Sequence, residues 1–536
     1  MRSVRLLCAV LVFQALAPAQ ASAPRKPKLV VAIVVDQFRY DYLTRFRKDY
    51  TAGLAKMLDG GAVFTNANYR QMPTVTAVGH SIFMSGAMPS VSGIAGNTWF
   101  DRETGRQVTS VCDYSVKLLG AEAQQPGARC EDWDPASPRR LQVSTVGDEL
   151  RNRDEQSKVI GISLKARSAI LPSGHRANAA YWFDDTACGF VSSSYYFDHL
   201  PEWVNTFNGR KLADAYIERK WDGFPDWDFH AVNNLRPCGK LPASPWGNEL
   251  IEMFSEAAFD NERLGQRAAT DLLTVSFSSN DYVGHQTGPD APEVRDMSIR
   301  TDQLIGKLIS LAEAKVGAGN VLFVLTADHG VAPLPSEQEK HGMPGGYIFV
   351  DPAGIVGQAL NNRFAARDVT GRMKTLPGDW ILAGIDNSLY LNWKTIDNAH
   401  LNRADVMRAA RDVLLATPQL HASRVYTRDE LIAGVANDMI GRAAVNGFHQ
   451  VRTGDILIVQ EPYFLFGSSG TSHSTPWGYD THVPMIFFGA GVKAASYSRE
   501  VAVNDIAPTI ASLLGIEPPS GSSGEVLPEI VPPARR

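Results

Sequence analysis

The sequence predicts an α/β fold: a central, mostly parallel sheet with helices on both faces and inserted subdomains. Three observations predict it. Short apolar runs rich in β-branched residues recur along the chain, helical segments separate them, and Asp or His residues follow where several runs end. Strands of a parallel sheet, buried on both faces, read as near-continuous Val, Ile and Leu. Open α/β sheets build their sites just beyond the carboxyl ends of such strands.

Taken in order, the first segment lies outside the fold. Arg2 and Arg5 precede the apolar stretch Leu6–Ala17, and Ala19-Gln20-Ala21 or Ala21-Ser22-Ala23 supplies a small-residue cleavage site. Residues 1–23 therefore read as a signal peptide and 24–536 as the catalytic domain. The apolar run is shorter than the roughly 20 residues a membrane span needs, and no later stretch is long enough. A periplasmic or secreted protein with no membrane span after signal removal is expected. Cleavage removes Cys8 and leaves Cys112, Cys130, Cys188 and Cys238. An even count in an oxidising compartment suggests two disulfides. Local pairing, Cys112–Cys130 and Cys188–Cys238, closes the shorter loops.

Leu29–Val35 is the first strand and ends in Asp36. Pro73–His80 reads as a loop entering a helix, with Thr76 at its start. Val159–Ile162 is a second strand, followed by Ser163-Leu164-Lys165-Ala166-Arg167. In extended chain Lys165 and Arg167 share a face. About 184–245 is an aromatic insertion, holding Trp203, Trp221 and Trp227, that is expected to lie over the site. The strand Leu272–Phe277 leads to Asp281 and, four residues on, His285. Glu293–Lys315 carries Met297, Leu304, Ile305, Leu308 and Leu311 at helical spacing and should cross over to the strand Val321–Leu325, which ends in Thr-Ala-Asp328-His329-Gly. About 333–462 mixes helix, short strands and loops, a second inserted segment. Within it, Asn402 caps a helix Arg403–Ala416 that Pro418 halts. Met485–Phe488 is a late strand, and Asp505–Leu514 a last helix in which Pro508 is tolerated early.

At 536 residues and 44% hydrophobic composition the chain can bury a large core. Its net charge of −5, with no basic block, argues against a nucleic-acid partner.

A lone Asp at a strand end is more often a turn or cap residue than a ligand. The joint pattern changes that balance: Asp36, Asp281, His285, Asp328 and His329 all follow buried strands. Mixed Asp and His ligands suit zinc. Thr76 taken alone would be an ordinary cap, but a hydroxyl at a helix N-terminus also sits where free N–H groups favour phosphate. A threonine hydroxyl needs a base or a metal to become a nucleophile, so Thr76 and a metal centre explain each other. Arg offers a planar fork to phosphate oxygens and Lys a point charge.

Several segments then occur in a telling order: Val34-Val35-Asp36-Gln37, Pro73–His80, Gly93-Ile94-Ala95-Gly96-Asn97, Ser163–Arg167, Asp281–His285, Ala327–Gly330 and Thr471-Ser472-His473-Ser474. The chain resembles the alkaline phosphatase superfamily, and within it the monomeric PafA-type bacterial alkaline phosphatases with a threonine nucleophile, from about Lys28 to about Gly521. The resemblance implies an alkaline phosphatase-like fold and two zinc ions per chain. It places one zinc on Asp281, His285 and His473, and the other on Asp36, Asp328 and His329 beside Thr76. Asn97, Lys165 and Arg167 would contact the phosphate oxygens. Spacing alone leaves His473 and His482 as rivals; the resemblance favours His473 and makes His482 structural.

These implications describe zinc-dependent hydrolysis of phosphate monoesters by a monomer, through a phosphothreonine intermediate. A phosphodiesterase or nucleotide pyrophosphatase of the same superfamily is the near alternative, and two cations discriminate, since they suit a dianionic monoester. A sulfatase lacks support because no Cys-x-Pro-x-Arg or Ser-x-Pro-x-Arg segment is present. A non-catalytic zinc- or phosphate-binding envelope protein would keep the ligands but need no Thr76.

Overall fold

The structure, a computed structural model, describes residues 26–122, 134–217, 219–224, 227, 237–367, 369–434 and 437–532. The expected signal peptide and Cys130 fall outside those residues. Leu29–Val35 is buried at all seven positions and pairs in parallel with Asp271–Phe277 on one side and Val321–Thr326 on the other. Val159–Ser163 and Ala179–Asp184 extend the parallel run beyond Asp271–Phe277. The runs the sequence marks as strands thus form the middle of the sheet, where two helix-covered faces exclude charge.

Register is what matters for function. Val35 lies opposite Phe277, Val34 opposite Thr326, and Ser276 opposite Ser163. Four strands therefore end at one edge, and Asp36, Asp281, Asp328 and Lys165 all leave the sheet there. The late strand Met485–Gly489 runs antiparallel to Val321–Thr326, with Met485 opposite Thr326. It enters from that same edge, so the segment before it must cross the edge as well.

The long helix Pro292–Val316 crosses over between the Asp271 and Val321 strands and buries Met297, Leu304, Ile305 and Leu308, as the periodicity predicts, while Leu311 is only partly buried and Ile309 joins the core instead. The segment 333–462 contributes a four-stranded antiparallel sheet of Ile381–Ile385, Ser388–Leu391, Ile456–Gln460 and Ala422–Thr427. Helices Pro352–Phe364 and Arg403–Leu415 cover it around Val356, Leu360, Trp380 and Met407. Asn402 caps the second of these, its Oδ1 accepting from the backbone N–H groups of Ala404 and Asp405.

The described part of the aromatic segment packs through its rings. Gly189–Ser193 joins the main sheet, and Phe190 stacks on Phe254 of the helix Pro245–Glu262 at 3.9 Å between ring centroids. Trp203 packs on the same ring at 5.0 Å, and Trp221 donates to Asp296 at 2.6 Å. These contacts anchor Phe190 and Trp203 on the apolar side of that helix, which offers large rings area to bury, and Trp221 on Asp296. Cys188 and Cys238 form the expected disulfide, and Cys112 is also disulfide-bonded. Among the described residues, no helix is long and apolar enough to cross a membrane.

Candidate metal and phosphate site

Asp36, Asp328 and His329 are fully buried where two strands end. Asp281 and His285 lie on the helix Ser279–Thr287, one turn apart, so both face the same cluster. His285 Nε2 is 3.2 Å and His473 Nε2 3.9 Å from Asp281 Oδ1. The ligand atoms of Asp281, His285 and His473 lie within 4.8 Å of one another, as do those of Asp36, Asp281 and His329. Asp328 Oδ2 adjoins the second group, 3.4 Å from His329 Nε2. The six expected ligands are therefore brought together, with Asp281 facing both groups.

Three histidines share one feature that bears directly on metal binding. His285 Nδ1 is 2.7 Å from Thr471 O, His329 Nδ1 2.9 Å from Gly330 O, and His473 Nδ1 2.7 Å from Thr74 O. A carbonyl can only accept, so each Nδ1 carries the proton and each Nε2 presents a lone pair to the carboxylates. That is the arrangement metal-binding histidines use to fix tautomer and ring orientation. Among the described residues, Asp36 Oδ1 and Asp328 Oδ2 are buried with no hydrogen-bond donor. An unpaired buried carboxylate oxygen is costly, and a cation among these donors would satisfy both. The donor set fits zinc.

Electrostatics support the same view. Burial, then the charge of Asp328, pushes the Asp36 carboxyl well above its usual range, and Lys165 opposes this. Burial also raises Asp281, but Lys165 and His285 outweigh it and hold Asp281 well below. For Asp328, His329 and His80 similarly overcome burial. Burial and then the neighbouring His329 and His285 hold His473 well below the usual imidazole range, and burial lowers His329. Both shifts favour the neutral imidazole that a ligand needs, whereas for His285 burial is outweighed by Asp281, which raises it.

Thr76 is the first residue of the helix Thr76–Ser85, and its Oγ1 lies 3.5 Å from His329 Nε2. Asn97 Oδ1 accepts from Ala77 N at 2.8 Å, which ties Asn97 to the residue next to Thr76. Lys165 departs from expectation. The strand ends at Ser163, and Lys165 caps the short helix Ala166–Ile170, its carbonyl accepting from Ser168 N and Ala169 N. Lys165 and Arg167 thus do not share an extended face. Lys165 Nζ instead bridges Asp36 Oδ2 and Asp281 Oδ2, each at 2.6 Å; burial works against its charge, but Asp281 and Asp36 outweigh burial and push its pKa above the usual ammonium range. His482, the rival to His473, accepts no such role: its Nε2 bonds Thr65 O at 3.0 Å and its ring stacks on Tyr40.

Two residues that the sequence displays without explaining hold the cluster in place. Gln37 donates its backbone N–H to Asp328 Oδ1 at 3.0 Å and its side-chain amide to Asp281 Oδ1 at 2.7 Å. It does so from a left-handed backbone conformation, φ 57°, a cost often found at functional sites. His80 lies between Thr76 O at 2.9 Å, Ser276 Oγ at 2.9 Å and Asp328 Oδ2 at 3.4 Å. The adjacency of Gln37 to Asp36, and the i,i+4 spacing of Thr76 and His80, were the only signals available.

Comparison with known proteins places this geometry. The type I phosphodiesterase / nucleotide pyrophosphatase family matches residues 30–483. The chain is 34% identical to alkaline phosphatase PafA of Elizabethkingia meningoseptica, covering 98% of each chain. It is also 34% identical to alkaline phosphatase PhoV of Synechococcus elongatus, covering 94% of this chain and 93% of that one. A crystal structure of wild-type PafA superposes with a TM-score of 0.85 at 33% identity, over 95% of this chain and all of the other.

Proposed function

The chain belongs to the type I phosphodiesterase / nucleotide pyrophosphatase family and to its PafA-type alkaline phosphatases, and from that premise we propose that it is an exported, two-zinc phosphate monoesterase working through a phosphothreonine intermediate. The observation that carries the reading is the set of three histidines, each locked through Nδ1 to a backbone carbonyl, around carboxylates beside Thr76.

Asp281, His285 and His473 would hold one zinc, and Asp36, Asp328 and His329 the other. When bound, the metals supply Lewis acidity that lowers the pKa of a hydroxyl or water and neutralises charge on the departing oxygen. Thr76 Oγ1 attacks phosphorus, the bond to the alcohol oxygen breaks, and the phosphoryl group rests on Thr76. Water then attacks phosphorus, releases inorganic phosphate and restores the hydroxyl. The first turn of the Thr76 helix presents free N–H groups to the phosphoryl oxygens. Asn97 and Arg167 would add donors and charge there, and Lys165 would join them once the metals take over the Asp36 and Asp281 carboxylates it otherwise bridges, as phosphoryl transfer depends chiefly on positioning and electrostatics. Gln37 and His80 keep the carboxylates from rotating.

Diester hydrolysis is the rival reading, because the family's description includes it. Two cations near one phosphoryl position suit the dianionic end of a monoester better than a singly charged diester. The test is the double variant Lys165→Ala with Arg167→Ala, assayed as kcat/KM on an aryl monoester and the matching diester. Each charged contact contributes about 2–4 kcal/mol, or ~30- to 1,000-fold. A loss concentrated on the monoester supports the proposal; equal fractional losses would remove its chemical basis.

A further inference from the structure

The four-stranded subdomain reaches the site at one point. The strands Ile381–Ile385 and Ser388–Leu391 are joined by a tight turn with Ile385 opposite Ser388, so Asp386 and Asn387 form its tip. Asn387 Nδ2 donates to the carbonyl of Ser474, next to His473, at 3.3 Å. Asp386 Oδ2 lies 3.5 Å from where a Cβ would stand on Gly96, next to Asn97. Pro73, three residues before Thr76, lines the same small cavity with Ala95, Asp386 and Asn387. The tip therefore sits where the segments carrying Thr76, Asn97 and His473 converge. Consecutive Cα atoms are ~3.8 Å apart, which puts the Asp386 carboxylate within roughly 10 Å of the side-chain amide of Asn97.

Asp386 is exposed, yet protein surrounds it closely enough that burial pushes its carboxyl up to about 6. That combination describes a side chain on the wall of a cleft. Among the described residues it has no hydrogen-bond or ion-pair partner. A carboxylate at the tip of a hairpin, beside Gly96 and the small cavity it shares with Pro73 and Ala95, supplies no hydrogen bond or ion pair among the described residues to hold the hairpin. It also adopts a left-handed backbone conformation, φ 49°, which Asp and Asn tolerate better than most residues.

We propose that Asp386 selects among phosphate monoesters by the charge of the alcohol being released, favouring cationic leaving groups and disfavouring those that carry a second anion. The inference rests on the monoesterase reading. With the phosphoryl group held by Thr76, Asn97 and the nearby cations, the alcohol projects outward past Gly96, and Asp386 is the negative charge it meets. The residue takes no part in bond breaking. It acts on how readily the substrate is held, so the effect should fall mainly on KM.

The experiment compares kcat/KM for phosphocholine, p-nitrophenyl phosphate and 3-phosphoglycerate in wild type, Asp386→Asn and Asp386→Lys. Asn suits the left-handed backbone and removes only the charge, while Lys reverses it. At alkaline pH, where Asp386 is ionised, neutralisation should shift the cationic-to-anionic preference by about 3- to 30-fold, and reversal should shift it further in the same direction. A graded shift residing in KM supports the proposal. Ratios unchanged across the three proteins overturn it, as does a shift that ignores the sign of the new charge. A wild-type protein inactive on all three monoesters would instead remove the monoesterase reading, and this inference with it.

Discussion

Gly79 offers a demanding test of how tightly the threonine-bearing helix is held. It lies three residues after Thr76, on the same side of the helix, and that side packs against the strand end carrying Asp328 and His329. A Cβ at position 79 would stand 2.1 Å from Asp328 O, 2.6 Å from Asp328 Cα and 2.7 Å from Asp328 C. All three are backbone atoms, so no rotamer change relieves the contact. Reaching an ordinary separation of 3.4 Å requires the helix and the strand end to part by more than 1 Å. Gly79→Ala in an open helix would gain about 1 kcal/mol from helix propensity. Overpacking here costs about 1–3 kcal/mol, at the upper end because both partners are main chain. The overpacking should win, giving a net loss of roughly 2 kcal/mol. Whatever separation the fold accepts moves Thr76 relative to His329, and a misplacement of about 1 Å can lower turnover by ~100-fold. Thermal melting and kcat/KM on an aryl monoester, with metal content measured on the same sample, read both effects. A Gly79→Ala protein that melts higher than wild type and keeps its turnover would refute the close approach and the reasoning built on it.

Thr76→Ala should nearly abolish turnover while the protein stays folded and metal-loaded, and Thr76→Ser should keep appreciable activity; an alanine variant near the wild-type rate would place the nucleophile elsewhere. Elemental analysis should find about two zinc ions per chain, and chelation should lower both activity and melting temperature, since a ligand bound only by the folded state stabilises it by about 2.7 kcal/mol at 100 times its Kd; an unchanged melting curve after exhaustive chelation would refute the metal centre. Asp480, which accepts from Thr475 N at 2.9 Å and Thr475 Oγ1 at 2.6 Å, has its carboxyl pushed up to about 7 by burial. Its folded pKa is raised, so the stability it contributes is fully present below about pH 4 and is lost as pH rises through about 7, at most ~1.4 kcal/mol per unit. Asp480→Asn removes that titration, so denaturant melts of the variant should show a flatter profile than wild type between pH 4 and 7, and parallel profiles would refute the assignment.

Much of this was legible in the chain because the physics involved is local. Leu29–Val35, Asp271–Phe277 and Val321–Thr326 are buried on both faces, so their composition marks them as strands without any knowledge of partners. Asp36, Asp328 and His329 follow strand ends and were found for that reason. Lys165 shows where local reasoning fails. Its side chain was expected to extend beside Arg167, but the strand stops at Ser163 and a helical turn begins. Five residues around a strand end do not specify where pairing gives way to a turn. The resting place of the Lys165 ammonium is set by two carboxylates that are 129 and 116 positions away. The packing partners of the aromatic segment were open for a related reason, since large rings announce burial without saying against what.

His473 is the sharper case. No spacing rule separates it from His482, because neither follows a buried strand and both precede one. What separates them is strand direction. Met485–Gly489 runs antiparallel to Val321–Thr326, so the chain approaches Met485 across the edge where Asp36, Asp281 and Asp328 emerge. His482 is already committed to the short strand pairing with Asn68, three residues from the sheet. His473 lies far enough upstream to cross the edge, where Thr74 O takes its Nδ1 proton and turns Nε2 toward Asp281. Had Met485–Gly489 been parallel to its neighbour, the same segment would have arrived at the opposite edge and delivered no ligand. The proposed first metal group is completed by a topological choice, and topology is the property that a pattern of apolar residues leaves open.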